Sequence, residues 1–354
     1  MKRLLSMLIV ICLLCALTAC GAQPAEAPSS GGDAAPAAPA APAAPAAAEP
    51  DSGEKTYRVA MICDSSIDDG GWGAACYLAM CDAAAARGWE TSYTDHIDVS
   101  EYVESMTSYC QLGYDLIFAP GEQYSDAVKQ VAAEYPDINF AVLLGTEDLP
   151  TDNIVSLLAD TNQTGYLAGI IGALMTKTNV FGYIGAMELE STMTKLRGFE
   201  KAAQAINPEI KVLTAMAGDF NDTAKGMELA NSMIAEGADV FYGDASAVDS
   251  GARQAIDAKN TADGSITIYN IAQPADILGQ NPCIITSVVT DNAGMLGMAM
   301  DDIVNGTFGN KVIFGNLENG CVFLGAINDE LVPAEIQEQV MDYIDQIKAG
   351  TFPG

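Results

Sequence analysis

Positive charge is scarce in this sequence: 16 lysines and arginines stand against 47 aspartates and glutamates, a formal net charge of −31. Such a surface repels a phosphate backbone, which excludes nucleic acid as a partner. It equally opposes direct adsorption to anionic lipid. Histidine is scarcer still, and a lone His96 excludes any chemistry that needs two imidazoles. There is no G-x-S-x-G elbow, no G-x-x-x-x-G-K-[ST] phosphate loop and no H-E-x-x-H helix. Carboxylates alone could run a glycoside hydrolase, yet their abundance does not define the separated pair that reaction requires. A carboxylate-dependent hydrolase therefore stands only as an alternative, and no cofactor is expected. The apolar stretch from Leu4 to Leu17 is about 14 residues, short of the roughly 20 that cross a bilayer.

What surrounds that stretch is more informative. Met1-Lys2-Arg3 is a short basic start, and Leu17-Thr18-Ala19-Cys20 closes the segment with small residues around a cysteine. This reads as an export signal. It resembles the bacterial lipoprotein signal, in which the cysteine thiol is diacylated and the chain is cleaved immediately before that cysteine. The resemblance implies a chain starting at Cys20, held by lipid on the extracytoplasmic face of the cell membrane. The alternative is an ordinary secretory signal.

Of the nine cysteines, Cys63, Cys76, Cys81, Cys110, Cys283 and Cys321 belong to the body. An even number in an exported chain permits up to three disulfides. Their settings favour another role: Cys63 ends an apolar run, and Cys76 and Cys81 sit among alanines, where cysteine acts as a small buried apolar residue. These six form no CxxC pair, and His96 is remote in sequence, so no metal site is expected.

Residues 21–54 carry Ala-Ala-Pro repeats and almost nothing large and apolar. Proline favours extended backbone and alanine cannot build a core, so this segment reads as a spacer reaching at most on the order of 100 Å. From Tyr57 the texture becomes alternating strand and helix. Strands are expected at 58–63, 90–94, 116–119, 139–144 and 154–158, with helices between. The pattern restarts at Val180 with strands expected at 211–215, 240–242, 265–269 and 284–289. Such βα periodicity predicts parallel sheets covered by helices. Two α/β domains account for it more economically than one very broad sheet; a barrel is the alternative.

Ligands of open parallel sheets collect beyond the carboxyl ends of strands. The first such loop is Asp64-Ser65-Ser66-Ile67-Asp68-Asp69-Gly70-Gly71-Trp72. Here Asp64 offers an acceptor to a heterocyclic N–H or a hydroxyl, and Trp72 offers an aromatic face. Asp68 and Asp69 are either binding groups or helix caps. The matching turn in the second half, Gly218-Asp219-Phe220-Asn221-Asp222, places Phe220 beside polar acceptors. Asn270 is read as a polar strand-end residue, and Asp291 as a binding group or the N-cap of the next helix.

Several segments, in order, carry a family likeness. They include Asp68-Asp69-Gly70-Gly71-Trp72, Tyr114-Asp115-Leu116-Ile117-Phe118-Ala119, Gly165-Tyr166-Leu167-Ala168-Gly169 and Lys177-Thr178-Asn179-Val180-Phe181-Gly182-Tyr183-Ile184-Gly185. Through these, residues 57–328 resemble the basic membrane protein family, the nucleoside-type substrate-binding lipoproteins of bacterial ABC transporters. The resemblance implies a type I periplasmic-binding-protein fold, two Rossmann-like lobes joined by three crossovers. The expected division is a leader at 1–19, a lipid-anchored linker at 20–55, a first lobe of 56–178 plus 290–318, and a second of 179–289 plus 319–354. It also implies a purine nucleoside or related heterocycle as ligand, an ABC permease as partner, a monomer and no catalysis. Asp64 then contacts the base, with Trp72 and Phe220 stacking on it from opposite lobes. The sugar side departs from the family: Asn270 stands where many relatives carry aspartate, and no lysine follows near Thr290 or Asp291. A non-transport, ligand-sensing lipoprotein is the alternative role.

Overall fold

A computed structural model describes residues 55–67 and 72–353. The first lobe opens with β1 (Arg58–Ile62), α1 (Trp72–Ala85), β2 (Glu90–Thr94) and α2 (Tyr102–Gln111). It continues through β3 (Leu116–Ala119), α3 (Ser125–Glu134), β4 (Asn139–Leu143) and β5 (Ile154–Ala159). The chain then crosses into α4 (Thr161–Met175), β6 (Val180–Gly185), α5 (Glu190–Ile206), β7 (Lys211–Met216) and α6 (Thr223–Ala235). Next come β8 (Val240–Asp244), α7 (Ala247–Asp263), β9 (Tyr269–Ala272) and β10 (Ile284–Thr290). It returns for α8 (Asn292–Asn305) and β11 (Lys311–Gly315), then crosses a third time to β12 (Val322–Leu324) and α9 (Ala334–Lys348).

Two six-stranded sheets result, with orders β11-β5-β4-β3-β1-β2 and β12-β10-β9-β8-β6-β7. All pairings are parallel except β10 with β12. Strand alternation explains why helices cover both faces of the first sheet. Val59, Met61, Leu116 and Phe118 pack with Met80 of α1 and Met300 of α8. Their neighbours Ala60, Ile62, Ile117 and Ala119 pack the other way, with Met106 of α2 and Val128 of α3. In the second lobe Phe181, Tyr183 and Tyr242 meet α4, α5 and α9, while Ile184 and Phe241 meet α6 and α7.

Two expectations need correction. The boundary at 178 falls instead near Asp160, because α4 buries Tyr166, Leu167, Ile170 and Ile171 in the core of the second lobe. The strand expected at 265–269 is β9, and it begins only at Tyr269. The cause is Asn260, buried at the end of α7. Its Oδ1 accepts from the backbone N–H groups of Thr267 and Ile268 (both 3.1 Å), and its Nδ2 donates to the Ile268 carbonyl at 2.8 Å. Backbone groups engaged there cannot join the sheet ladder, so the strand is displaced toward the C-terminus.

Close helix packing also sets up the second lobe. A Cβ added at Gly165 in α4 would lie 2.2 Å from the Lys195 carbonyl oxygen, and one at Gly169 would lie 2.4 Å from that of Phe199. Only glycine permits this approach of α4 to α5, and it fixes where the Lys195 side chain starts.

Candidate functional site

All three crossovers leave from carboxyl ends of strands. At the first, the N–H of Asp160 donates to the Gly315 carbonyl (2.8 Å), and the Asp160 carboxylate caps α4 by accepting from Gln163 N–H (3.0 Å). At the second, Asp291 N–H donates to the Cys321 carbonyl (2.8 Å), and its carboxylate caps α8 by accepting from Gly294 N–H (2.8 Å). Gln163 also ties the first crossover to the third, accepting from Leu317 N–H at 2.8 Å. The carboxyl edges of both sheets therefore meet at the hinge and bound the cleft between the lobes.

On the first-lobe edge, Asp64 follows β1 and is exposed. Its Oδ2 accepts from the Tyr102 hydroxyl and from Gln123 Nε2, both at 3.1 Å. Its backbone N–H donates to the Tyr124 hydroxyl at 2.8 Å. The two tyrosine rings stack at a tilt, centroids 4.4 Å apart, beneath the carboxylate. Burial, then the charge of Asp64, pushes the Tyr102 hydroxyl up to about 12, so it remains a donor. Trp72, the first residue of α1, is half-buried against the first-lobe core and donates its indole N–H to the Pro120 carbonyl at 2.7 Å. The structure thus brings Asp64 and Trp72 to the same edge and anchors both. Asp68 and Asp69 lie outside the described residues.

On the second-lobe edge, Gly218 takes φ +84° and turns the chain after β7, a conformation that suits glycine. Phe220 follows, half-buried against the core beneath α6 and α7, with its carbonyl accepting from Ala247 N–H at 3.0 Å. Asp222 caps α6 by accepting from Lys225 N–H at 2.9 Å. Asn270 is not at this edge. It is the second residue of β9, opposite Phe241 and Ile284, and only 4 % exposed. The four-residue displacement of the strand made it look terminal; the residue that follows the strand is Gln273.

Gln273 leads to a charge network that sequence reasoning missed. The Asp244 carboxylate, at the end of β8, accepts from Thr192 Oγ1 (2.8 Å), Gln273 Nε2 (2.8 Å) and Lys195 Nζ (3.0 Å). Lys195 Nζ also donates to Gln273 Oε1 at 2.5 Å. Burial alone would raise the Asp244 carboxyl, but the charge of Lys195 and the three donors outweigh it and hold it below its usual range. Next to it, half-buried Asp249 accepts from Ala245 N–H at 3.0 Å. Burial pushes that carboxyl up to about 6. The signal available in the sequence was a polar residue closing an apolar run, Asp244 after Val240-Phe241-Tyr242-Gly243.

Two non-glycine residues at these edges take left-handed backbone. Leu144, just after β4, and Ser246, just before α7, have φ of 58° and 51°. Non-glycine residues held there cost energy that surrounding structure must offset, a pattern associated with binding sites. All six body cysteines are free thiols. Among the described residues no group of histidine, cysteine and carboxylate side chains is placed to hold a metal ion, and no helix is long and apolar enough to cross a membrane.

Two doubly wound lobes joined by three crossovers define a type I solute-binding protein. Solved structures share this architecture. A transcriptional activator of the comK gene from Bacillus halodurans superposes with a TM-score of 0.73 at 22% identity, covering 84% of this chain and 100% of its own. A solute-binding protein of an ABC transporter system from Conexibacter woesei gives 0.70 at 21% identity, covering 83% and 97%. An ABC transporter nucleoside-binding protein, BmpA of Lactococcus lactis, is 30% identical over 267 residues, 72% of this chain and 75% of its own. The model of the PnrA-like substrate-binding proteins of ABC transporters matches residues 56–351. The chain belongs to that family, the basic membrane proteins, and is a non-catalytic solute-binding protein of an ABC uptake transporter.

Proposed function

We propose that the solute is a purine nucleoside or a related aromatic heterocycle, captured between the lobes and handed to a membrane permease. The observation that carries this reading is the exposed Asp64 carboxylate, steadied by Tyr102 and Gln123, on the same edge as the anchored Trp72. A carboxylate accepts from ring N–H or exocyclic amino groups, and an indole face stacks on the ring. Phe220, at the carboxyl edge of the other lobe, supplies the opposing face when the lobes close. Asp68 and Asp69, from the Asp64 loop, and Asp291, at the second crossover, add acceptors around the solute. Closure shifts an existing open–closed equilibrium by the solute's preference for the closed state. Lipid on Cys20 keeps the monomeric receptor on the outer face of the cell membrane, where its permease lies. The nucleoside-binding relative from Lactococcus lactis supports the same ligand class.

Calorimetric titration of folded, ligand-free protein with purine nucleosides, nucleobases and unrelated metabolites tests the reading. Purine binding should quench Trp72 and leave Trp89, buried against Tyr57 in the first lobe, largely unchanged. Trp72→Ala should weaken the complex by about 1–3 kcal/mol, the range for base–aromatic stacking. Absence of binding by every purine compound would overturn the assignment.

A further inference from the structure

The second lobe carries a recognition group that its strand ends define. Asp244 and Lys195 form one ion pair, but they do not share the surface equally: 25% of the Asp244 side chain is exposed against 9% of Lys195. The carboxylate, not the ammonium, is the exposed partner at this strand end. Its oxygens are also unequally used. Oδ1 accepts from Lys195 and Gln273, whereas Oδ2 accepts only from Thr192. A carboxylate oxygen has room for two donors, so Oδ2 retains capacity for one more. Lys195 is committed to Asp244 and Gln273 and cannot turn outward without leaving that pair unbalanced. Segments 63–67, 95–98, 120–121, 186–189, 217–222, 245–246 and 273–283, which leave strand ends, contain no lysine or arginine, and neither does the sequence from 68 to 71. The helix N-termini at the crossovers, where an anion would otherwise find partial positive charge, are already capped by Asp160 and Asp291.

We propose that Asp244 is the specificity-determining residue of the second lobe, accepting a hydrogen bond from a solute hydroxyl or amino group, with Lys195 as its positioning residue. This rests on the purine reading for the part of the solute held by Asp64 and Trp72. Asp244 then takes the appended part, and a phosphate or carboxylate there is rejected by a fixed negative charge with no available cation.

The test is titration of the full chain with adenosine, adenine and adenosine 5′-monophosphate, and of an Asp244→Asn/Lys195→Met double variant with the same probes. The double change removes both charges together, so neither is left buried alone, and circular dichroism confirms folding. The native protein should bind adenosine at least tenfold more tightly than adenine, and the monophosphate at least a hundredfold more weakly than adenosine. The double variant should close the adenosine–adenine gap to within threefold and bind adenine as the native protein does. A native protein indifferent to the hydroxylated part, a monophosphate bound as well as adenosine, or an unchanged gap in the folded variant would each overturn the role of Asp244. If no purine binds at all, the purine reading fails separately. Titration of both proteins with free pentoses and hexoses then decides: binding lost in the variant supports Asp244, and no difference or no binding overturns it.

Discussion

The edge of the first lobe carries an exposed carboxylate held by neutral hydroxyl and amide donors, and the edge of the second a half-buried charge network in which cation and anion are already matched. Asp64 can reorient at little cost, because Tyr102 and Gln123 hold only one of its oxygens and water reaches the rest. Asp244 is fixed by Thr192, Lys195 and Gln273, which come from α5 and the end of β9. The difference follows from packing. On the first lobe Asp64 and Gln123 sit in the segments that follow β1 and β3, whereas on the second the glycine-mediated approach of α4 to α5 sets Lys195 against the core. The first edge can adapt to a solute, and the second is preorganised for one.

The sharpest way to break this contrast is to remove one partner of the buried pair. Lys195→Met leaves Asp244 charged without its cation, though water reaches about a quarter of the side chain, and losing this charge-assisted partner should cost about 1.5–3 kcal/mol. Asp64→Asn, on the exposed edge, should cost less than about 1 kcal/mol of stability, as surface charges do. Urea midpoints of the two variants measure the difference, and equal losses would erase the distinction between the edges. The depressed Asp244 carboxyl gives a sign to the pH dependence: its stabilisation is present above the ordinary carboxylate range and lost as pH falls through its folded value.

Asp249 sharpens the comparison from within the second lobe. Its carboxyl is raised to about 6, chiefly by burial, so the folded chain holds a proton there that the unfolded chain has released. Stability from this group is present at low pH and falls as pH rises from about 4 to about 6, a cost on the order of 2–3 kcal/mol at neutrality. Asn retains the acceptor used by Ala245 N–H. Asp249→Asn should therefore stabilise the protein by about 2 kcal/mol at pH 7 and leave it unchanged at pH 4. A thermal melt at each pH checks both halves of that statement.

The lobes, and most of their strands and helices, were legible because burial on both sheet faces leaves apolar runs separated by helical periods. The exposed edge was legible too: Asp64 and Trp72 flank one loop, so sequence adjacency places them together. The buried network was not, because Thr192, Lys195, Asp244 and Gln273 come from three separated segments and meet only through tertiary packing. One buried side chain hid the rest. Asn260 captures the backbone of Thr267 and Ile268, and no periodicity reports a side chain that competes with a sheet ladder. Reading β9 four residues early made Asn270 terminal and left Gln273 unnoticed. The displaced lobe boundary has a similar cause, since α4 follows β5 in sequence but buries its apolar side chains against β6, β8 and α5.

The smallest effect tests whether the first edge is as loosely held as its geometry implies. Tyr102 donates one hydrogen bond to Asp64 from a buried ring, and Gln123 donates another to the same oxygen. Removing the hydroxyl in Tyr102→Phe leaves Gln123 and water to solvate the carboxylate, so the loss in affinity should be only about 1 kcal/mol. It should appear in binding rather than stability, because the ring and its stacking on Tyr124 remain. The Tyr102 hydroxyl is pushed up to about 12 by burial and then by the Asp64 charge. The native affinity should therefore stay level as pH rises from neutrality to about 10, below the range in which this tyrosine ionises. A loss in Tyr102→Phe approaching that of Trp72→Ala would mean that Asp64 is positioned as rigidly as Asp244, and that both lobes are preorganised.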